Sequence, residues 1–523
     1  MNLLNPQTSN SSSTESYQTM LQESINIFLS QHQSGISDFS HFNLMFSRII
    51  HTMPSPPIEL IWFHSAVNYH THKNITTQDV NLGRIFTLKE LFHSLNSCSG
   101  PCCSSLKKVA VLAPLTFELY NLVSDLISNT KSSLDEVIKV EIGCFMEGLV
   151  SFISLCCCEA VDDHDDALVF TPCFVDLVKV WTIQKRESRF AFEDDVKMFF
   201  PVISGEVHNE LLMGGRVGLL AGIVMYQTFL LYLCLKFVWE DSQEKLKADV
   251  LSLVVSTNSG FRSCYFFDIL LKMLLESSLP VLSLLTAVDE VLLREAIFDA
   301  IILEDLFDRG CGIRLCSHHS NILASTWLFV ADKAMQFVRC NGDHDRLVFY
   351  MKAFSKSFIL SQLLKWVSTQ IVALENANKI NFSTPTAFME WLLQVTSQAS
   401  RCFISDEFSM LLEKAMNYLS DMKRALPCLE PNDNHVIFDH KECRDEDHEM
   451  IDSTEGAKTS CDSNFAGACR KRKGEKDEGD LRVKLFKYQI HDSPIKNILP
   501  FQNEVGLIRR SYAFPKIDTE SSF

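Results

Sequence analysis

The chain has 523 residues, a formal net charge of −17, 46% hydrophobic and 22% charged residues, which is globular composition with ample length for a large core. With only 19 Gly and 15 Pro it is a poor candidate for a turn-rich all-β fold. The acidic balance argues against direct nucleic-acid binding by the body, because neutralising phosphates needs a basic footprint.

Residues 1–15 are rich in Ser, Thr and Asn and are predicted to be a disordered leader. They lack the charged start and apolar core of a secretory signal. They also lack the arginines of a transit peptide, since Arg48 is the first Lys or Arg. From Tyr17 onward Met20, Leu21, Ile25, Phe28 and Leu29 recur at helical spacing. Pro54–Pro57 interrupts the pattern, and a helix restarts through IELIWFHSAV. A loop is expected over 71–85, followed by the helix FTLKELFHSL with Thr87 as its N-cap. After the connector SCSGPCCSS, KKVAVLAPLTFELYNLVSDLIS and SSLDEVIKVEIGCFMEGLVSFISLCCCEA read as two helices.

The acidic turn AVDDHDDALVFTP leads to PCFVDLVKVWTIQKR and a run of apolar helices up to about residue 308. A Gly/Cys connector then precedes NILASTWLFVADKAMQFVR, and RLVFYMKAFSKSFILSQLLKWVSTQIVALENANK reads as one long helical block. Two more helices close the body near residue 427. Residues 428–480 are a mixed-charge linker that cannot bury enough apolar surface to offset the entropy of ordering. Residues 481–523 turn mildly basic, with scattered hydrophobes typical of short linear motifs.

The fold class is therefore all-α: a multi-helix body over 16–427 and then a disordered, charged C-terminal tail. Lys179, Lys272 and Lys365 lie in apolar–Lys–apolar settings 93 residues apart, near twice an armadillo or HEAT unit. The body is expected to be an irregular solenoid of that architectural kind, although no diagnostic repeat consensus is present. A membrane alternative rests on Val217–Leu235, which runs 19 residues without a charge and holds Gly218 and Gly222 in a GxxxG pair. Its favoured competitor is a central core helix, since Gln227, Thr228 and two tyrosines dilute the run.

Signatures of chemistry are sparse. Phosphate-loop, H-E-x-x-H and G-x-S-x-G patterns do not occur. Ser104 and Lys107 match S-x-x-K, a pattern short enough for chance. Cys311, Cys316, Cys340 and His344, with His318 and His319 nearby, offer a loose tetrahedral zinc set, weaker than loop cysteines and surface histidines as a reading. Asp162, Asp163, His164, Asp165 and Asp166 lack calcium-loop spacing and read as a solvated turn. Cys98, Cys102 and Cys103 are a redox alternative to an ordinary connector. Many of the 18 cysteines, such as Cys144, Cys156, Cys157, Cys158, Cys173, Cys234 and Cys264, sit in apolar runs, as small buried hydrophobes of a reducing compartment.

These features point to a non-enzymatic scaffold or adaptor for other proteins, with no cofactor; an enzyme with a divergent site is the other alternative. The run Arg470, Lys471, Arg472, Lys473 has the character of a nuclear-import signal read by an import receptor, and Ser493-Pro494 that of a proline-directed phosphorylation site. A nuclear location is expected, with a cytoplasmic one as its alternative.

Overall fold

The computed structural model describes residues 11–36, 38–72, 80–100, 103–129, 136–159, 173–183, 195–239, 243–281, 283–303, 317–371, 381–398 and 406–425. The chain divides into Met1–Asn432 and Asp433–Phe523, and every described residue belongs to the first unit. The expected tail, 428–523, lies outside the described residues, which form nineteen helices and no strand.

The N-terminal helices are α1 (Ser11–Gln33), α2 (Ser40–Thr52), α3 (Ile58–His72), α4 (Val80–Cys98), α5 (Ser105–Ala110), α6 (Ala113–Asn129) and α7 (Glu136–Glu159). The middle holds α8 (Phe174–Thr182), α9 (Asp195–Phe199), α10 (Gly205–Gly214), α11 (Val217–Trp239), α12 (Gln243–Gly260) and α13 (Cys264–Leu275). The last are α14 (Ala287–Ile302), α15 (Ser317–Cys340), α16 (His344–Lys356), α17 (Phe358–Gln370), α18 (Pro385–Gln398) and α19 (Asp406–Ala425).

Several starts are set by short polar side chains that accept an otherwise orphaned backbone N–H three residues on. Ser104 accepts from Lys107 (3.3 Å), Thr286 from Asp289 (3.2 Å), Asp343 from Arg346 (3.0 Å) and Ser357 from Leu360 (3.2 Å). The last two caps divide the long helical block expected from Arg346 to Lys379, with Asp343 opening α16 and Ser357 opening α17.

Three other boundaries depart from expectation. α1 begins at Ser11, inside the expected leader, because a polar turn can extend a helix whose next turns bury Leu21, Ile25 and Phe28. Thr87 is no N-cap: α4 starts at Val80, and the Thr87 hydroxyl donates back to the Gly83 carbonyl (3.0 Å). The helix expected through KKVAVLAPLTF breaks into α5 and α6 just before Pro114, which cannot donate inside a continuous helix. The buried Trp62 indole donates to the Val111 carbonyl at that break (2.9 Å).

α11 is the centre of the body. α5, α6, α7, α12 and α13 pack around it, and every residue from 217 to 235 is buried. A methyl on Gly218 would lie 2.4 Å from the Tyr265 ring, and one on Gly222 would lie 2.6 Å from the Tyr265 carbonyl oxygen. The GxxxG pair therefore serves close approach of α13 to α11. The stretch weighed as a membrane anchor is enclosed by protein helices.

From α11 the contacts advance along the chain through α13 to α15, which packs α16, α17 and α18, and α18 packs α19. The three lysines 93 residues apart have unlike settings. Lys179 on α8 pairs with Asp176 (2.6 Å), Lys272 on α13 with Glu210 and Asp268 (2.8 Å each), and Lys365 on α17 is exposed.

Tyr226 on α11 is fully buried, and its hydroxyl has no hydrogen-bond partner among the described residues. An unsatisfied buried hydroxyl is destabilising, so Tyr226→Phe should raise the unfolding free energy by about 1 kcal/mol. The check is the urea midpoint; a lower midpoint would show that the hydroxyl is bonded in the folded protein.

Candidate functional site

α7 is apolar around most of its circumference, yet it is not a core helix. The described residues contain three stretches long and apolar enough to cross a membrane: Ser105–Ser128, Glu136–Cys158 and Val217–Phe237. They are 78%, 33% and 100% buried in the protein. The middle one, α7, packs one face on α4, α5, α11 and α12, burying Ile138, Ile142, Met146, Leu149 and Ile153. On that side the rings of Phe152 and Phe92 meet edge to face at 5.2 Å.

The opposite face is open. Val137, Val140 and Leu155 are 53%, 59% and 44% exposed, and Cys144, Glu147, Ser151 and Cys158 are exposed with them. Successive members are three or four residues apart, so they form one stripe along the helix. Glu147 is fixed at the stripe's edge of contact with α11, where it accepts from the Tyr232 hydroxyl (3.3 Å). Burial and this carboxylate push the Tyr232 phenol up to about 12. Lys89 on α4 holds Glu141 at 2.5 Å. The helix is thus clamped on its polar flanks while its outer stripe offers apolar side chains and two thiols. Such a surface suits packing against another apolar helix or surface. The 3–4 spacing was present in the sequence, but a helix apolar on both faces reads as fully buried.

The residues expected to carry chemistry are only partly described. Cys311 and Cys316 and the 162–166 acidic turn lie outside the described residues, as do Cys102, Arg470, Lys471, Arg472, Lys473 and Ser493. Cys340 is an exposed free thiol at the end of α15, and His344 opens α16. Among the described residues no group of three His, Cys, Asp or Glu converges as metal ligands. S-x-x-K is explained as local structure: Ser104 caps α5, and the Lys107 ammonium donates to Ser55 (2.9 Å). Cys103 is buried.

Cys98 has a neighbour that the sequence did not suggest. Its Sγ lies 3.7 Å from His64 Nδ1, while Asn68 donates to the other ring nitrogen (3.4 Å). Burial pushes the thiol up and the imidazole down, so both are held neutral and the thiol is not activated as a nucleophile.

Two charged junctions tie the C-terminal helices. At the end of α13, Lys333 donates to the carbonyls of Leu275 and Glu276 (2.6 Å each), and Arg294 donates to that of Glu276 (3.1 Å). Two cations thus satisfy orphaned carbonyls at the negative end of the helix dipole. Glu290 accepts from Arg294 Nε (2.9 Å) and from the Leu279 N–H (3.0 Å). Burial, with Arg294 beside it, pushes Lys333 down to about 8. Alongside, Tyr350 donates to Asp299 (2.7 Å), whose carboxyl burial raises.

A cavity of about 50 Å³ between α15, α18 and α19 is lined by Asp332, Gln336, Arg339, Thr386 and Met422. Asp332 there accepts from Thr386 (2.6 Å) and Gln336 (2.5 Å). That volume is well below the roughly 300–1,000 Å³ of ordinary ligand sites.

No family model, no curated protein and no solved structure matches the chain.

Proposed function

We propose that the protein is a non-enzymatic helical scaffold or adaptor whose outer α7 stripe receives another protein. The observation that carries this reading is the open apolar face of a long helix whose other face is anchored in the core. The buried charged groups of the C-terminal half add support, since they are engaged in joining helices to one another. The body is of the irregular armadillo/HEAT-like solenoid kind, a proposal supported by contacts that advance in chain order from α11 to α19. Its repeat is not marked by Lys179, Lys272 and Lys365, whose settings differ.

A nuclear location belongs to the same proposal, carried by Arg470, Lys471, Arg472 and Lys473 in the sequence, with regulation through Ser493 in the tail. Replacing the four basic residues together by Ala should move a tagged full chain from nucleus to cytoplasm in live cells. Unchanged nuclear signal would remove the motif, and a cytoplasmic wild type would remove the location.

The scaffold role is tested by proximity labelling with the full chain and with Leu155→Glu. Leu155 is 44% exposed, so this change should leave the far-UV spectrum and thermal midpoint unchanged. Loss of labelling of a discrete set of chains, an untagged second copy of this chain counted among them, is the expected result. Identical labelling by both chains would sink the α7 reading.

A further inference from the structure

We infer that the occupant of the α7 stripe is the α7 stripe of a second copy of this chain, packed antiparallel across a two-fold axis. The inference rests on the scaffold reading, and what carries it beyond that reading is the order of side chains along the stripe. From Val140 to Cys158 the exposed residues run Val140, Cys144, Glu147, Ser151, Leu155 and Cys158. The series is a palindrome in polarity: two apolar residues, two polar ones, two apolar ones. Its centre falls between Glu147 and Ser151.

Running a second α7 in the opposite direction about that centre matches each position from Val140 to Cys158 with a compatible one, and Val137 lies beyond the paired length. The Ser151 hydroxyl of each copy meets the Glu147 carboxylate of the other and donates to it. Cys144 meets Leu155, and Val140 meets Cys158. A parallel arrangement in register would instead set Glu147 against Glu147. An isologous two-fold contact needs a self-complementary surface of this kind. The 3–4 spacing, repeated over about 27 Å at 1.5 Å per residue, is also what a helix seam needs for knobs to enter holes.

The position of the stripe favours the same occupant. Glu147 already holds the Tyr232 hydroxyl on one side (3.3 Å), which leaves carboxylate lone pairs for a donor from outside. Flanking Glu141 is drawn to Lys89, away from an unbalanced carboxylate charge at the seam. A single-helix seam is smaller than the about 800 Å² per partner of a standard interface, so the dimer is expected to be reversible and concentration-dependent.

The test is sedimentation velocity of the full chain over a concentration series, with two variants at exposed positions. The wild type should move from monomer to dimer as concentration rises. Ser151→Glu puts a carboxylate opposite Glu147 in both copies and should weaken dimerisation by about tenfold or more. Leu155→Glu should abolish it. For orientation, Val140→Cys oxidised with diamide should yield a covalent dimer whose linked peptides join the introduced thiol to the second copy's Cys158. A linkage of the introduced thiol to itself would overturn the antiparallel geometry.

A full chain that stays monomeric up to about 100 μM, where small interfaces associate, would overturn the inference. If Leu155→Glu still lost labelled proteins, only the identity of the partner would fall. If the monomer instead bound phosphatidylglycerol vesicles through the stripe, both the inference and the scaffold reading would fall.

Discussion

Leu220→Asp is expected to abolish folding of the helical body. Leu220 is 0% exposed on α11, and the helices around it present apolar side chains. A carboxylate there is taken out of water in a mainly apolar core, and protonating it still buries a polar group. Either route costs several kcal/mol. Effects above about 4 kcal/mol are exceptional for one substitution, and natural domains hold only about 5–15 kcal/mol in total. The measurements are far-UV circular dichroism and thermal unfolding of the full chain. Gly222→Ala is a graded companion. Its methyl would press on the Tyr265 carbonyl, which is backbone and cannot swing aside, so a loss of about 1–3 kcal/mol is expected. Should Leu220→Asp stay folded and lose only membrane retention, the assignment of α11 to a protein core would be wrong.

Arg294→Met should be the next most damaging change. Arg294 is 3% exposed and satisfies both Glu290 and the carbonyl end of α13. Removing the guanidinium strands a buried carboxylate and frees the Glu276 carbonyl on that side. Breaking a buried pair from one partner costs about 3–5 kcal/mol. Glu290→Gln in the same chain should recover part of the loss, since a neutral amide is cheaper to leave unpaired than a carboxylate. Urea midpoints of the two variants give the comparison. A loss under about 1 kcal/mol for the single change would make the pair equivalent to a surface ion pair and would end this account of the junction.

Helix type was legible because it depends on local terms. The 3–4 recurrence of apolar residues, few glycines and prolines, and Ser or Thr three residues ahead of a free N–H are all sequence-local. Boundaries failed where two local signals competed. Thr87 can cap a helix or bond back to a carbonyl within one, and its hydroxyl took the second course. Ser357 lay inside an unbroken apolar pattern and still started a new helix.

What the residues alone determined is a long body that is all-α over the described residues, with Val217–Leu235 its most apolar stretch. The reason is that helical periodicity and hydropathy are properties of the sequence itself. Only tertiary structure decided where each apolar face goes. α11 and α7 look alike as strings, yet α11 is enclosed on all sides while α7 turns Val140 and Leu155 outward. That difference depends on which helices arrive from distant parts of the chain: α5 and α13 close over α11, and none covers the outer stripe of α7 among the described residues. The same holds for the end of α13, where Arg294 and Lys333 meet carbonyls 18 and 57 residues earlier in the chain. A contact of that range is set by how the helices stack, and no local window of residues records it.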